Sequence, residues 1–474
     1  MHRGQKTHIV LVASVTMMAA TLSACASYQP RSVTPAQIIA KRQVRTLDRS
    51  AVAQRITEIA PGRATVPGAR WDRLSLLAAA TIYNPNVVSA RAALATASAN
   101  VGVARQWPNA TLTLTTEYAN DPAASSPWLF GGALDVPLDL GRRRSLRRTA
   151  ADLAVLSARY DIAEAIWTAR SAIRKAFADR LIADRLAVAL VALEKVRDRQ
   201  FAAMDRRVAA GEASRAELER VRADGADVVR RLSDAQASRR SADRAIAAAL
   251  GVPQPALTDI ALEWNGFDDP APDPAPGVSE RMRLEAVLSR TDILKAVVAY
   301  DQAEADLRGE VAKQFPAISV APGYVWERGL VKLPFSLGLL LPPLDLNRHA
   351  IAAAEARRSE AGSRLEAVVF GAEAAIDAAL VETSAARAAL ARIRGTELAA
   401  ADRLAAQADR ELAAGAIDRT EWAAAQAGAR QARTSEIDAL ARVHAADAAL
   451  EDALRRPVEG PETMVRMDDM GQKP

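Results

Sequence analysis

The stretch PLDLGRRRS at positions 137–145 is followed 206 residues later by PLDLNRHAI at positions 343–351. Further segments recur in the same order at nearly the same distance. They are Trp107-Pro108 with Phe315-Pro316, and AGEAS (210–214) with AGAID (414–418). Because the order is kept and the spacing drifts by only a few residues, the sequence indicates two copies of one structural unit.

The N-terminus has the pattern of an export signal. Basic residues precede an apolar run, Ile9–Leu22, which is fourteen residues long and too short for a membrane-spanning helix. The run ends in LSAC (22–25), which resembles a bacterial lipobox, and Cys25 is the only cysteine in the chain. We therefore expect cleavage before Cys25 and acylation of its thiol; an ordinary signal peptide with an incidental cysteine is the alternative. Ala26 favours delivery to the outer membrane over retention at the inner membrane.

The chain then divides into six segments. They are a signal peptide (1–24), a lipid-anchored N-terminal segment (25–70), a first repeat (71–252), a proline-rich linker (253–277), a second repeat (278–457) and a C-terminal tail (458–474). Six prolines and five acidic residues lie in VPQPALTDIALEWNGFDDPAPDPAPGV, so we expect the linker to be a surface-exposed connector.

Charge and composition narrow the class of protein. Loss of Arg3 and Lys6 with the signal peptide lowers the net charge from +5 to +3, which gives no reason to expect a nucleic-acid partner. Aromatic residues make up only 4% of the chain, whereas alanine is abundant. Because alanine favours helix and permits close approach of backbones, we expect long, closely packed helices.

Each repeat also contains two runs of alternating apolar and polar residues, which predict strands. The predicted strands are 108–118, 128–138, 316–326 and 331–341. Each is about ten residues long, enough for a tilted strand to cross a bilayer. Segments 107–138 and 315–343 hold eight of the chain's twenty aromatic residues and only six charged ones. This composition favours a membrane β-barrel over soluble hairpins packed on helices.

The remaining segments predict helices of matching lengths. Residues 142–210 contain neither proline nor glycine and predict one coiled-coil helix about 100 Å long. Two shorter helices are predicted at 74–105 and 214–250, and Pro85 starts or bends the first of them. Their summed length equals that of the long helix at 142–210, and the second repeat shows the same relationship. Its segments are 347–414, 281–313 and 418–455. Each repeat therefore predicts one long helix beside two shorter helices stacked end to end.

Four strands are too few to close a barrel, and open strand edges in a bilayer leave backbone groups without hydrogen-bond partners. We therefore expect several chains to assemble. Two chains would supply eight strands and three chains twelve, and both numbers occur in outer-membrane barrels. Physical reasoning from the sequence leaves these two alternatives open.

The ordered series of motifs over residues 71–457 resembles the TolC-like outer-membrane efflux proteins, also called outer membrane factors, of the lipoprotein type. The series comprises the segments NPNVVSARAALATA…QWPNATLTL and TDILKAVVAYDQA…QFPAISVAP, the two PLDL junctions, and RVAAGEASRAELERVRADGADV before AALGVP. Cys25, in the lipobox-like LSAC, adds to the resemblance from outside this range. The resemblance implies a mainly α fold with a membrane β-barrel portion: a homotrimer whose strands form a twelve-stranded barrel above an α-helical tunnel. It also implies a passive duct that meets a periplasmic adaptor (membrane-fusion) protein and an inner-membrane pump of the resistance-nodulation-division type.

Within this resemblance the repeated PLDL motif marks the junction of a strand and a tunnel helix. We expect Pro137 and Pro343 to end strand pairing, and Asp139 and Asp345 to stabilise the helix N-terminus. A role for the two aspartates in selectivity is the alternative.

The opposite helix ends form two tips. Gly211 and Gly415 are expected to be C-caps, with Ser214 and Asp418 as N-caps of the returning helices. In this family the tips form the periplasmic entrance and meet the adaptor. Candidate gate or adaptor-contact residues are Arg206, Arg207, Gly211, Glu212 and Arg215 in the first tip, and Arg410, Glu411, Gly415, Asp418 and Arg419 in the second. A solvated helical hairpin without a gating role is the alternative.

Two other classes of protein compete with a channel. An enzyme is disfavoured because the sequence has no HExxH, CxxC, nucleotide-binding loop or nucleophile elbow, so no catalytic residue, metal or cofactor is expected. A lipid-anchored periplasmic coiled-coil adaptor or scaffold fits the anchor and the helices, but not the two strand pairs. The exported substrate is either a divalent metal cation or a drug, and the sequence leaves both open. The segments PLDLGRRR and RVAAGEASR look more like the cobalt-zinc-cadmium branch of the family than like its drug channels.

Overall fold

The computed structural model describes residues 28–61, 70–118, 126–139, 142–272, 276–327 and 329–465. Cys25 and the expected signal peptide lie outside the described residues. The chain forms two units, the first of which comprises residues 1–45. In its described part, α1 (Pro35–Gln43) begins at a capping box formed by Thr34 and Gln37.

The second unit, residues 46–474, is mostly helical in its described part. Its first half contains α2 (Arg49–Ile59), β1 (Arg70–Trp71), α3 (Arg73–Tyr83), α4 (Pro85–Ala104), β2 (Thr111–Tyr118), β3 (Trp128–Leu138), α5 (Arg143–Ala209) and α6 (Arg215–Leu250). Its second half contains β4 (Ala261–Leu262), α7 (Pro276–Ser289), α8 (Thr291–Ala312), β5 (Ala317–Glu327), β6 (Leu330–Lys332), β7 (Phe335–Leu340), α9 (Arg348–Arg392), α10 (Ala399–Ala413) and α11 (Arg419–Leu454). A π-helical segment, Ile393–Leu398, joins α9 to α10 without a loop.

The longest helix, α5, has 67 residues and therefore extends about 100 Å. Both α4 and α6 pack along it, as the matching lengths predict. Asn84 links the facing ends of these shorter helices: its side chain caps the first turn of α4 and its amide nitrogen donates to the Ala249 carbonyl oxygen at 2.7 Å. Pro85 is the first residue of α4, a position where its missing N–H has no cost.

The second long helix has the same kind of partners. The α9–α10 helix packs against α8 and α11, and α5 also contacts both α8 and α11, so the two halves share one helical bundle. Its main hydrophobic core lies where α2 packs on α3, and α3 packs on α5 and on the end of α6, around Trp71, Leu77 and Phe177.

Strands β2, β3, β5, β6 and β7 form one antiparallel sheet in which β6 and β7 both pair with β5. Both short strands keep one register on β5, so together they form a single strand with a break. The prediction of one continuous strand at 331–341 is therefore corrected to two strands, Leu330–Lys332 and Phe335–Leu340. The break falls at Pro334, which has no N–H to donate, although its carbonyl oxygen accepts from the Gly323 amide at 2.8 Å.

The expectation that Pro137 ends strand pairing is also wrong. Pro137 lies opposite Ser319, and β3 continues to pair with β5 as far as Leu138. Pairing with β2 has already stopped at Asp135, so β3 has only one neighbour here, and a proline is tolerated in such an edge position.

The capping role expected for the junction aspartates is confirmed for Asp139, whereas the Asp345 carboxylate bonds only the residue that precedes α9. The Asp139 carboxylate accepts hydrogen bonds from the backbone amides of Arg143 and Arg144, at 3.1 and 2.8 Å. Asp345 accepts one from the amide of Asn347 at 3.1 Å, immediately before α9. A carboxylate at the positive end of the helix dipole stabilises the start of each long helix.

The linker 253–277 is not simply a surface-exposed connector. Its strand β4 pairs in parallel with β1. Phe267 is only 2% exposed and stacks on His444, with ring centroids 4.0 Å apart. The prolines and acidic residues predicted exposure correctly for much of the linker, but they carried no information about its aromatic side chains, which gain free energy by burial between helices.

Candidate functional site

Antiparallel pairing places alternating residues of neighbouring strands on common faces of the sheet. The register collects apolar side chains on one face. They are Leu112, Leu114, Tyr118, Trp128, Phe130, Leu134, Val136, Leu138, Ile318, Val320, Tyr324, Trp326, Phe335, Leu337 and Leu339. The opposite face carries mostly polar and small residues: Thr111, Thr113, Thr115, Glu117, Gly131, Ala133, Asp135, Ser319 and Ser336. Leu129, Val325, Leu330 and Leu340 are the large apolar residues on that face.

This apolar face is largely uncovered in a single chain. Leu114 is 75% exposed and Leu337 is 64% exposed. A continuous apolar surface of this size is costly in water, so it needs a lipid or protein environment.

Aromatic side chains gather at both ends of the strands. At the hairpin end, Tyr118 contacts Trp128 edge-on at 5.0 Å between ring centroids, and Phe130 stacks on Trp326 at 6.2 Å. At the helix end, Trp107 lies beneath the guanidinium of Arg144 at 4.6 Å. Such rings at the ends of an apolar band are typical of a membrane interface.

The two tips have the predicted caps. Gly211 and Gly415 have φ of 77° and 73°, a backbone conformation that favours glycine. Each follows a long helix, and the next residue's amide donates back to a helical carbonyl oxygen at 2.8 Å, as in a Schellman motif. Ser214 and Asp418 then begin α6 and α11 in capping boxes with Glu217 and Glu421.

The structure brings the two tips of the chain together through one ion pair. Arg207 Nη1 lies 2.9 Å from Asp418 Oδ2, and the two side chains are 37% and 44% exposed. An ion pair this exposed contributes about 0.2–1 kcal/mol, so it can hold the tips together only weakly.

The other predicted tip residues make local contacts or lie at the surface. Arg206 donates to the Ala202 carbonyl oxygen at 3.0 Å, and Arg410 and Glu411 both bond to the side chain of Gln407. Glu212, Arg215 and Arg419 are exposed.

Sequence reasoning missed a second contact in the tip region. Asp409 Oδ1 accepts hydrogen bonds from Trp422 Nε1 at 2.7 Å and from Gln426 Nε2 at 3.0 Å, which ties α10 to α11. The signal available in the sequence was Trp422, a large residue in an alanine-rich helix close to its N-cap.

A larger feature that was missed is a cluster of charged side chains inside the bundle. This buried charge cluster comprises Arg73, Arg170, Arg174, Glu451, Glu459 and Glu462. Glu451 Oε2 lies 2.8 Å from Arg170 Nη2 and 2.7 Å from Arg174 Nε. Glu462 Oε2 lies 3.3 Å from both Arg73 Nε and Arg170 Nη2.

Charge balance explains how these groups tolerate burial. Arg170, Arg174, Glu451 and Glu462 are each 1% exposed, and the cluster holds three cations and three carboxylates. Burial disfavours the charged form of Glu451, but the neighbouring guanidiniums outweigh it and keep its pKa below the ordinary value. The cluster joins α3, α5 and α11 to the segment after α11, so it fixes the position of residues 459–462 on the helical bundle.

Two further buried groups lie beside this cluster. Burial lowers the pKa of His444 to about 4, so its ring is neutral and Nε2 donates to the Phe267 carbonyl oxygen at 2.8 Å. Burial raises the pKa of Asp447 to about 6, although Arg387 Nη2 donates to it at 2.8 Å. Across the described ranges, no group of three or more His, Cys, Asp or Glu is placed to hold a metal ion.

Comparison with known proteins gives a consistent result. The sequence profile of the family described as "Outer membrane efflux protein" matches residues 76–252 and 284–454. No curated protein matches the sequence.

Several solved structures share the fold. A membrane protein from Pseudomonas aeruginosa superimposes with a TM-score of 0.66 at 21% identity, covering 81% of this chain and 90% of its own. The outer membrane protein VceC from Vibrio cholerae gives 0.65 at 16% identity, over 81% and 95% of the two chains. The CmeC outer membrane channel of Campylobacter jejuni gives 0.63 at 13% identity, over 91% and 94%.

Proposed function

Because the chain belongs to the outer membrane efflux protein family, which consists of TolC-like channels and not of enzymes, we propose that it is the outer-membrane duct of a tripartite efflux system. The duct is passive: an inner-membrane pump supplies the energy, and this protein provides the path to the exterior.

One observation carries this proposal: the strand register collects all the aromatic and most of the large apolar side chains on one face of the sheet, and most of the polar side chains on the other. That arrangement suits a barrel wall with lipid outside and water inside. A single chain leaves β2 at one edge and the β6–β7 strand at the other, so copies of the chain must pair edge to edge. Three copies give a homotrimer with a twelve-stranded barrel, the choice that the family resemblance favours.

The helix α4 supports assembly independently. It is apolar enough and long enough to cross a membrane, yet in one chain only Val87 among its residues is buried. Val103 is 62% exposed. We propose that neighbouring copies cover this helix within a periplasmic tunnel.

We infer the location from the apolar sheet and from the helix tips at the opposite end of the long helices. The sheet lies in the outer membrane, Cys25 carries the lipid anchor, and the helices extend through the periplasm. There the tips meet an adaptor protein of the membrane-fusion type, which connects them to a resistance-nodulation-division-type pump. The substrate is a divalent metal cation or a drug.

Extraction and conductance test the duct. We expect the Cys25→Ala variant to stay in the outer-membrane fraction until detergent is added, because the barrel holds it there without its lipid. We also expect the purified protein to have a trimer mass by native mass spectrometry and to conduct ions in planar bilayers. A variant released by salt washing, with a monomer mass, would instead indicate a lipid-anchored periplasmic scaffold.

Growth of a deletion strain tests the substrate class. Sensitivity to zinc, cobalt or cadmium would support cation efflux, whereas sensitivity restricted to dyes and detergents would assign the protein to drug efflux.

A further inference from the structure

Residues 264–269 (WNGFDD), here called the linker clip, bridge the long helices of the two repeats. On the first-repeat side, Arg185 of α5 pairs with both carboxylate oxygens of Asp268, with Nε–Oδ1 at 2.5 Å and Nη2–Oδ2 at 2.8 Å. The same guanidinium lies 4.5 Å from the ring of Phe267. The hydrogen bonds from Arg185 lower the pKa of Asp268, so the pair stays charged near neutral pH.

On the second-repeat side the clip is bound by Arg394. Its Nη2 donates to the Asp268 carbonyl oxygen at 2.6 Å, and its Nη1 lies 3.5 Å from Asp269 Oδ1. Its Nε donates to Glu436 Oε1 on α11 at 2.8 Å. The Arg394 side chain therefore links the linker clip, the α9–α10 helix and α11.

Arg394 is the second residue of the π-helical segment Ile393–Leu398. The corresponding helix of the first repeat, α5, is α-helical throughout. A π turn shifts the hydrogen-bond ladder by one residue, so it locally weakens and bends a helix, and Gly395 within it lowers the helix propensity further. Beyond this turn lie α10 and the second tip.

The aromatic side chain of the linker clip is buried, whereas its two carboxylates are exposed to solvent. Phe267 is buried against His444 and Trp264, with ring centroids 4.0 and 5.2 Å away. By contrast, the side chains of Asp268 and Asp269 are 59% and 91% exposed. The ionic contacts can therefore break while the aromatic base stays in place.

There is also room for movement beside the clip. A groove of about 520 Å³ runs between α5 and α11, bordered by Asp268, Arg394 and the apolar side chains Val188 and Leu440. A displacement of α11 toward α5 would narrow this groove.

We propose that the linker clip is a catch on the π-helical segment: it holds the second-repeat tip in its present position, and its release lets α10 and the adjoining half of α11 swing. The effect on transport rests on the proposed function, since the swing would widen the tip of the duct. The local motion itself does not depend on transport.

Hydrogen–deuterium exchange of the detergent-solubilised full-length protein tests the catch. In Arg394→Met, backbone amides of residues 393–430 should exchange at least several-fold faster than in the wild type, while those of 197–225 in the first tip should not change. Arg403→Met, which removes an exposed arginine from α10, is the matched control and should behave like the wild type. Equal exchange in the two variants would overturn the proposal.

A second variant guards against misfolding. Asp268→Asn combined with Asp269→Asn keeps every arginine and also keeps the bond from Arg394 to the Asp268 carbonyl oxygen, so it should accelerate exchange in the same residues less than Arg394→Met does. Exchange equal to that of the wild type in this variant also counts against the catch. Planar-bilayer recordings separate the two hypotheses. If the wild type conducts, Arg394→Met should show a larger mean conductance than Arg403→Met. If the wild type does not conduct but exchange responds as expected, the duct fails and the catch stands.

Discussion

Arg207 and Asp418 form an ion pair of 2.9 Å that joins the tip of the first repeat to the tip of the second within one chain. Asp418 also caps α11, and its two roles can be separated because asparagine caps a helix as well as aspartate does. Asp418→Asn should therefore keep the hairpin while losing the ion pair.

We expect this loss to be small and sensitive to salt. A double-mutant cycle of Asp418→Asn with Arg207→Gln, read from amide exchange at residues 415–421, should give a coupling of about 0.2–1 kcal/mol that shrinks at high ionic strength. Arg215→Gln in the same tip is the control and should show no coupling to Asp418. A coupling equal to that of the control would mean that the tips are held by other contacts.

The buried charge cluster should respond far more strongly. Glu462→Gln leaves Arg73 and Arg170 short of one buried negative charge, and removing one partner of a buried pair costs about 3–5 kcal/mol. The melting temperature should fall well below that of Glu360→Gln, which breaks an exposed pair with Arg364 within α9. Equal melting temperatures would contradict the assignment of Glu462 to a charge-balanced core.

Asp447 and His444 should make opposite contributions to the pH dependence of stability. The folded-state pKa of Asp447 is raised from 3.8 to about 6, so the folded state binds more protons in that window and this contribution is lost as the pH rises. The pKa of His444 is lowered from 6.5 to about 4, so the unfolded state binds more protons and stability rises with pH. Each slope is at most about 1.4 kcal/mol per pH unit, so in the wild type they largely cancel.

Single variants should reveal these slopes. Asp447→Asn leaves the contribution of His444, so its melting temperature should fall more steeply than that of the wild type on acidification from pH 6.5 to 4. His444→Gln leaves the contribution of Asp447, so its melting temperature, relative to the wild type, should rise over the same range. Comparison with the wild type at each pH removes the effect of the other titrating groups, and parallel curves for all three proteins would refute the assignment.

The two faces of the sheet make a further prediction. Leu114→Arg places a charge on the apolar face near the middle of β2, which costs about 2–4 kcal/mol in a bilayer. The variant should be depleted from the outer-membrane fraction. Thr113→Arg, one residue away on the polar face, should still assemble; equal depletion of the two would show that the faces are not distinguished by lipid and water.

The features that the sequence predicted are those encoded locally. The alternation of apolar and polar residues predicted the strands, and the absence of proline and glycine predicted α5. Gly211 and Gly415, each at the end of a long helical segment, predicted where those helices end. These signals each lie within a few consecutive residues, so one sequence is enough to find them.

The features that it missed depend on contacts between distant parts of the chain. Arg170 meets Glu462 across 292 positions, and nothing near either residue indicates the partner. The π-helical segment at Ile393–Leu398 has no specific local signal in the sequence, since an isolated glycine in a helix has many other outcomes. For the same reason the burial of Phe267 could not be read from the linker's composition.

The buried charge cluster also has a consequence for biogenesis. Its arginines come from α3 and α5, whereas Glu451 lies near the end of α11 and Glu459 and Glu462 follow that helix. Because the chain is synthesised from its N-terminus, the three arginines of the cluster are made and exported before its three glutamates. We expect a polypeptide that terminates before Glu451 to keep unneutralised guanidiniums where its interior should form, and therefore to be cleaved by proteases more readily than the full-length chain.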